Sequence, residues 1–469
     1  MRLSPVELPR NSGEPGSRLL IKGGALLTMD PQIGEIAHGD VLIDGRQIAA
    51  VGPRLECSDA FTIDATGKIV MPGFVDTHHH QSQTALRGFL ADGLLTNDGH
   101  AHGTLNYYDY ILQKLGPAYR PQDVYISELF GSLAQLDAGV TTVMDVSQIH
   151  HSPEHTDAAI AALVEAGRRA VLGYFEGAGG AMQYPADAHR LRLQYCSSDE
   201  QLLTMAMGGE IYLPGHDKAW SIGRELDIPI ALHVVGSFGL APPFEQLAIA
   251  DQFGADNIFI HMTGMSDLSW RKAADAGAHV SLAVPIEMTM RHGTPPLLKA
   301  LEFGIQPSLS SDVECTMTAD PFTQMRAALT LQRCLVNEAA LNGGTSLPEL
   351  LTSRNVIRFA TLEGAKCLGL GHKIGSLTPG KEADIVILDA TAINVAPLNF
   401  VPGAVVTLMD RSNVDSVLVA GKVLKWKGEL QRADIRKLRG ELEQSRDYLF
   451  SATGIAPDLF RPDAYVVPG

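Results

Sequence analysis

The sequence predicts an α/β protein: a (β/α)8 TIM barrel with a small β-sandwich built from both ends of the chain. Three observations lead there. Apolar strand-like runs alternate with amphipathic helical stretches through the middle of the chain, and short strands punctuated by Gly turns occupy both flanks. His and Asp residues fall at the C-terminal ends of the central runs, where barrel enzymes keep their chemistry. A length of 469 residues exceeds one ordinary core and suits a large barrel with an accessory domain.

Residues 1–17, rich in Pro, Gly and Ser, read as a flexible leader. Residues 18–68 form the first part of the sandwich. There the apolar runs around Leu19–Ile21, Ala25–Met29, Asp40–Ile43 and Ile48–Val51 are separated by Gly23-Gly24, Asp44-Gly45 and Gly52-Pro53, a spacing that signals hairpins and a small antiparallel sheet. The barrel spans 69–372. Its first strand, Ile69 to Asp76, is apolar up to Val75, as a parallel strand buried on both faces should be, and leads into His78-His79-His80. Seven more strands follow: Gly139–Asp145, Arg169–Phe175, Leu203–Met207, Pro229–Val234, Asn257–His261, His279–Ala283 and Gln306–Asp312. Helices such as Asp157–Ala166, Asp217–Leu226 and Asp267–Ala276 lie between them. The stretch from Gly88 to Tyr125 is too long for a plain βα loop and carries His100, His102, Tyr107, Tyr108 and Tyr110, which suits a lid. Residues 373–430 return to short strands and complete the sandwich, and 431–469 form a C-terminal helix and tail.

Composition narrows the function. Asp and Glu outnumber Lys and Arg by 53 to 37, giving a formal charge of −16 with no basic block, so a nucleic-acid partner is excluded. Five scattered cysteines without a C-x-x-C pair argue against a disulfide framework and a Cys-based zinc site. No apolar run reaches the roughly 18 residues of a membrane span, and the start has no signal-like apolar region. A cytoplasmic enzyme acting on a small molecule is the simplest expectation.

The histidines supply the chemistry. Alternate residues of a strand share a face, so His78 and His80 point together and His79 points away, into a structural role. His233 ends strand 5, His261 ends strand 6 and Asp312 ends strand 8. Three imidazoles and a carboxylate suit one borderline divalent ion, zinc first and iron second, with a position left for a water whose pKa the ion lowers toward neutrality.

The motifs Pro72-Gly73-Phe74-Val75-Asp76 before the His-x-His pair, Asp137-Ala138-Gly139-Val140-Thr141-Thr142, and Gly375-Ser376-Leu377-x-Pro379-Gly380-Lys381-x-Ala383-Asp384 resemble those of the amidohydrolase superfamily, over about residues 19–425. Within it the chain is most similar to the cytosine deaminase, S-adenosylhomocysteine deaminase and triazine chlorohydrolase branch. That resemblance implies one metal held by His78, His80, His233 and Asp312, with His261 beside the attacking water, Gln83 at a position that contacts substrate, and a homo-oligomer. Strand 4 has no lysine to become a carbamylated bridge, which disfavours a two-metal site.

One departure bears on mechanism. The branch usually places a glutamate three residues after the strand-5 histidine to carry a proton from the water to the leaving amine; here that position is Gly236. General acid–base catalysis contributes about 10²–10⁴ in rate, so another group must replace it. The sequence offers Glu287 beyond strand 7, Glu210 beyond strand 4 and Glu314 beside Asp312; Glu287 is favoured as catalytic, with Glu210 and Glu314 placed at the substrate. The expected reaction is attack of a metal-bound hydroxide, deprotonated with help from Asp312 and oriented by His261, on an electron-poor carbon of a small N-heterocycle, in deamination or dechlorination. Because of Gly236, hydrolysis of an amide, urea or carbamate, or a metal-assisted lyase step, is the alternative. A non-catalytic scaffold would be marked by lost ligands, and none is missing.

Overall fold

A computed structural model describes residues 8–100, 103–198, 200–431, 433–456 and 458–459. Residues 11–17 dock on the following sheet: Asn11 Nδ2 donates to the Gly45 carbonyl at 2.7 Å and Gly45 N to Ser17 O at 3.0 Å. The N-terminal strands are β1 (Arg18–Leu26), β2 (Ile36–Asp44), β3 (Gln47–Gly52), β4 (Phe61–Asp64) and β5 (Lys68–Pro72). The barrel strands are β6 (Phe74–His79), β7 (Val140–Ser147), β8 (Arg169–Tyr174), β9 (Leu203–Gly208), β10 (Ile230–Val235), β11 (Asn257–Thr263), β12 (His279–Leu282) and β13 (Ser308–Leu309). After them come β14 (Ile385–Asp389), β15 (Val414–Val419), β16 (Lys422–Trp426) and β17 (Glu429–Leu430).

Both ends of the chain build one mixed sheet in the order β17-β16-β15-β14-β5-β1-β2-β3, with β4 also on β1. It differs from the expected antiparallel sheet because β1 pairs parallel with both β4 and β5. Gly23-Gly24 ends no strand; it lies inside β1 at a register shift against β2. A Cβ on Gly24 would sit 2.7 Å from Val70 Cγ2, so glycine here permits close strand approach rather than a turn.

β6 to β13 are joined in sequence order into an eight-stranded parallel sheet. Every residue of β6, β7, β8 and β11 is buried, polar ones such as Asp76, Thr77, Thr142 and Asp145 included, as in strands covered on both faces. The two ends of the sheet meet where Asp312 N donates to His78 O at 3.0 Å and His80 N donates to Asp312 O at 2.9 Å. The seam is therefore made by residues of the predicted ligand set. β13 is shorter than expected because Pro307 has no N–H to pair and Asp312 leaves the extended region, at φ 59°.

Three of the surrounding helices, Pro121–Asp137, Pro153–Ala166 and Pro321–Leu341, begin with proline at their first position, where the missing N–H costs nothing. The C-terminal helix Ile435–Thr453 is capped by Asp434, which accepts from Lys437 N, and lies on Pro121–Asp137, where Ser445 Oγ donates to Asp123 Oδ1 at 2.8 Å. From the segment between Gly88 and Tyr125, Leu90, Leu95, Tyr107, Ile111 and Leu115 are buried in one cluster with Ile286, Met290 and Val313. That segment thus packs against residues next to Glu287 and Asp312; His102 lies outside the described residues. All five cysteines are free, and no helix among the described residues is long and apolar enough to cross a membrane.

Candidate metal centre

The strand ends place four imidazoles and a carboxylate together. His78 Nε2 lies 3.0 Å from His80 Nε2 and 3.2 Å from His233 Nε2. Asp312 Oδ1 is 3.6 Å from both His78 Nε2 and His80 Nε2, and Asp312 Oδ2 is 3.5 Å from His261 Nε2. His261 and Asp312 both take left-handed backbone conformations, at φ 70° and 59°, uncommon for residues other than glycine. Such strain costs on the order of 1–3 kcal/mol and persists where surrounding structure enforces it, as it does at functional sites.

The cluster fits a cation. Burial and the neighbouring imidazoles hold His78 and His80 well below the usual histidine range, so neutral nitrogens face one another across about 3 Å. Asp312 Oδ2 is buried without a hydrogen-bond partner. Potential ligand atoms gathered this closely form a donor set suited to a cation. Tetrahedral coordination at ~2.05 Å puts neighbouring ligand nitrogens about 3.3 Å apart, close to the observed spacings.

Behind the ligand atoms stand two carboxylates. Glu210, fully buried just past β9, accepts a short hydrogen bond from His233 Nδ1 and a longer one, 3.2 Å, from His233 N. Burial alone would lower the His233 pKa, but the Glu210 carboxylate outweighs it and the imidazole is held above its usual value. With the Nδ1 proton tied to Glu210, Nε2 is the nitrogen left for an ion. Glu287 is likewise buried; its Oε1 sits 3.1 Å from His261 Nδ1 and accepts from Ala283 N at 2.9 Å. Burial raises its pKa well above the carboxylate range, while His261 is pushed well down by burial and then by His292. Burial pushes Asp312 up to about 7.

Other predicted residues are turned elsewhere. Glu314 accepts from Arg87 Nε and Nη2 at 2.9 and 2.8 Å and from Thr84 Oγ1 at 3.3 Å, none of them in the ligand cluster. Gln83 Nε2 donates to Tyr107 Oη at 2.6 Å, and its Oε1 is buried and unpartnered. His79 points away from the cluster, with Nδ1 against Asp312 O and Ser311 Oγ. At Gly236 a Cβ would meet Thr263 O at 2.9 Å and Gly264 Cα at 3.1 Å, so the close β10–β11 contact leaves no room for a side chain there.

Two features were missed from sequence. Gln148, Glu176 and Tyr212 meet from the ends of strands 2, 3 and 4: Tyr212 Oη and Gln148 Nε2 donate to Glu176 Oε1 at 2.7 and 3.1 Å. His292 packs edge-on against His261, ring centroids 4.7 Å apart. Neither has a sequence signature, because each depends on loops that follow different strands.

Fold and site together define a metal-dependent hydrolase of the barrel class. The chain belongs to the amidohydrolase family, whose model matches residues 69–207 and 241–424; the stretch between, with His233 and Gly236, falls outside that match. The chain is similar over 92% of its length to a 5'-deoxyadenosine deaminase of Methanosarcina mazei, with 26% identity and 98% of that protein covered. It is similar over 91% to a 5-methylthioadenosine/S-adenosylhomocysteine deaminase of Desulforamulus reducens, at 23% identity and 98% coverage. Among solved structures, an adenosine deaminase from Xanthomonas campestris with bound zinc matches with TM-score 0.79 and 25% identity over 92% of this chain and 98% of that one. An atrazine chlorohydrolase from Arthrobacter aurescens TC1, complexed with zinc, shares the fold with TM-score 0.77 and 22% identity over 91% and 100%.

Proposed function

We propose that the chain is a zinc-dependent deaminase of amine-bearing N-heterocycles, of the adenine-nucleoside kind named for its relatives. One observation carries the reading: His78, His80 and His233 turn their Nε2 atoms toward one another beside the Asp312 carboxylate, on the seam that closes the barrel. His78, His80, His233 and Asp312 would hold a divalent ion, which would supply Lewis acidity and lower the pKa of a water toward neutrality. Zinc is favoured over iron by the zinc-bound neighbours.

The chain's own groups do the rest. Asp312, buried and with its Oδ2 without a hydrogen-bond partner among the described residues, takes a proton from the attacking water. His261, whose Nε2 lies beside Asp312 Oδ2, orients the attacking water. Glu287 positions that imidazole from behind. Gln83, tied to Tyr107, offers its free Oε1 to a substrate N–H. Gly236 supports a second reading, displacement of a leaving group such as chloride that departs without a proton.

Protein purified without chelator is expected to carry close to one zinc per chain, and His78→Ala or Asp312→Asn to lose it. Ammonia release is then measured over adenine nucleosides, aminopyrimidines and aminotriazines. Metal-free native protein sinks the metal reading. No ammonia from the panel, with turnover of amides or carbamates, replaces deamination by hydrolysis of another C–N bond.

A further inference from the structure

The open question at this centre is what carries a proton to the leaving nitrogen when position 236 has no side chain. Of the glutamates considered from sequence, Glu210 is engaged by His233, Glu287 stands behind His261, and Glu314 is paired with Arg87. His292 is held by none of these bonds. It is 5% exposed, yet both of its ring nitrogens are buried without a hydrogen-bond partner among the described residues. Leaving a buried polar atom unsatisfied costs about 1–3 kcal/mol, so two on one imidazole point to a partner that arrives with the substrate.

Its position is enforced. Thr263 Oγ1 donates to the His292 carbonyl at 2.9 Å, Arg291 Nη1 donates to Asp98 Oδ2 at 2.6 Å, and Leu95 N donates to Met290 O at 2.9 Å. Asp98 and Leu95 belong to the long segment after strand 1, so this loop is fastened both to β11 and to the segment over the mouth. Arg291 at φ 62° and Gly293 at φ 129° flank His292 in conformations L-residues rarely adopt, another sign of a residue held where relaxed chain would not put it. The same Thr263 whose carbonyl excludes a side chain at Gly236 holds the backbone carbonyl of His292 through its hydroxyl.

We propose that His292 is a catalytic residue, the proton carrier between the attacking water and the leaving nitrogen. The role rests on the deaminase reading above. As the water oxygen bonds to the ring carbon, the C=N electron pair moves to the ring nitrogen, and the first water proton reaches that nitrogen by way of Asp312. Neutral His292 then takes the remaining hydroxyl proton, the exocyclic C–N bond breaks with its electron pair on nitrogen, and that nitrogen takes the proton from His292. Ammonia leaves, the ring keeps a carbonyl, and both Asp312 and His292 end as they began. The charged or titratable groups around His292 are His261, His233, Glu287 and the Arg291–Asp98 pair.

The test uses the full chain as purified without chelator, with His292→Asn and His292→Ala as independent variants, and measures metal content and thermal midpoint beside turnover. For an amine substrate kcat is expected to fall roughly 10²–10⁴-fold, with KM and metal content within about threefold of wild type. Imidazole added to His292→Ala restores part of the rate. When chloride replaces the amine on the same ring the loss shrinks below about tenfold, because chloride departs without a proton. Equal losses for amine and chloride, or amine turnover near the wild-type rate in both variants, overturn the assignment while leaving the deaminase reading standing. A wild-type enzyme that turns over chlorinated rings and releases no ammonia overturns both.

Discussion

Glu210 offers a quantitative test of how this centre is held. In Glu210→Ala the His233 Nδ1–H loses its carboxylate acceptor in a place closed to water, and the His233 backbone N–H loses its longer bond to the same group. An unpaired buried donor costs about 1–3 kcal/mol, which at 1.4 kcal/mol per tenfold corresponds to roughly 5–150-fold in an equilibrium constant. That penalty falls on folding; for metal affinity, groups that orient a ligating histidine are worth about 10–100-fold, and a loss in that range is expected for Glu210→Ala. Glu210→Gln keeps an oxygen that accepts the same bond without the charge and is expected to fall between wild type and Glu210→Ala. Competition for zinc against a chromophoric chelator of known affinity, at one pH and ionic strength, reads all three proteins. If Glu210→Ala binds zinc within about threefold of wild type, the carboxylate is not orienting His233 for metal, and the inference from this hydrogen bond is wrong.

Two further predictions concern the scaffold. A Cβ at position 236 would lie 2.9 Å from the Thr263 carbonyl oxygen, so Gly236→Ala is expected to lower stability by about 1–3 kcal/mol, and Gly236→Glu to destabilise at least as much without raising deaminase activity; denaturant melts and ammonia assays check this, and a more active Gly236→Glu refutes it. His150 is buried against Tyr174, and burial holds its pKa down at about 3, below the value of roughly 6.5 it regains on unfolding. The unfolded chain therefore binds the extra proton, and the stability this group contributes, full above pH 6.5, drains away as pH falls toward 3 with a slope near 1.4 kcal/mol per unit; His150→Gln should show a shallower acid-side loss in melts between pH 7 and 4, and parallel curves would refute it.

What could be read from sequence and what could not divides along the same line as the site itself. Period-two geometry puts His78 and His80 on one face whatever the rest of the chain does, and strand ends of a parallel barrel must gather at one mouth, so the gathering of His78, His80, His233, His261 and Asp312 was legible from pattern, while the choice of four among them as ligands came from the family resemblance. Glu210 and Glu287 were visible as acids beyond strands, but whether such a side chain faces substrate or turns back onto a histidine is decided by rotamer and loop path, which spacing does not encode. His292 lay further out of reach: it follows a short helix, and its placement depends on Thr263, Asp98 and two left-handed neighbours from three parts of the chain. Gly23-Gly24 failed in the opposite direction, since glycine marks close backbone approach as readily as a turn and only the partner strand distinguishes them. The cluster of imidazoles and carboxylate is thus held by strand ends, whereas Glu210, Glu287 and His292 around it sit on the segments that follow strands. At Gly236 the approach of Thr263 and Gly264 leaves no room for a side chain, and the same Thr263 holds the backbone of the histidine proposed to carry the proton.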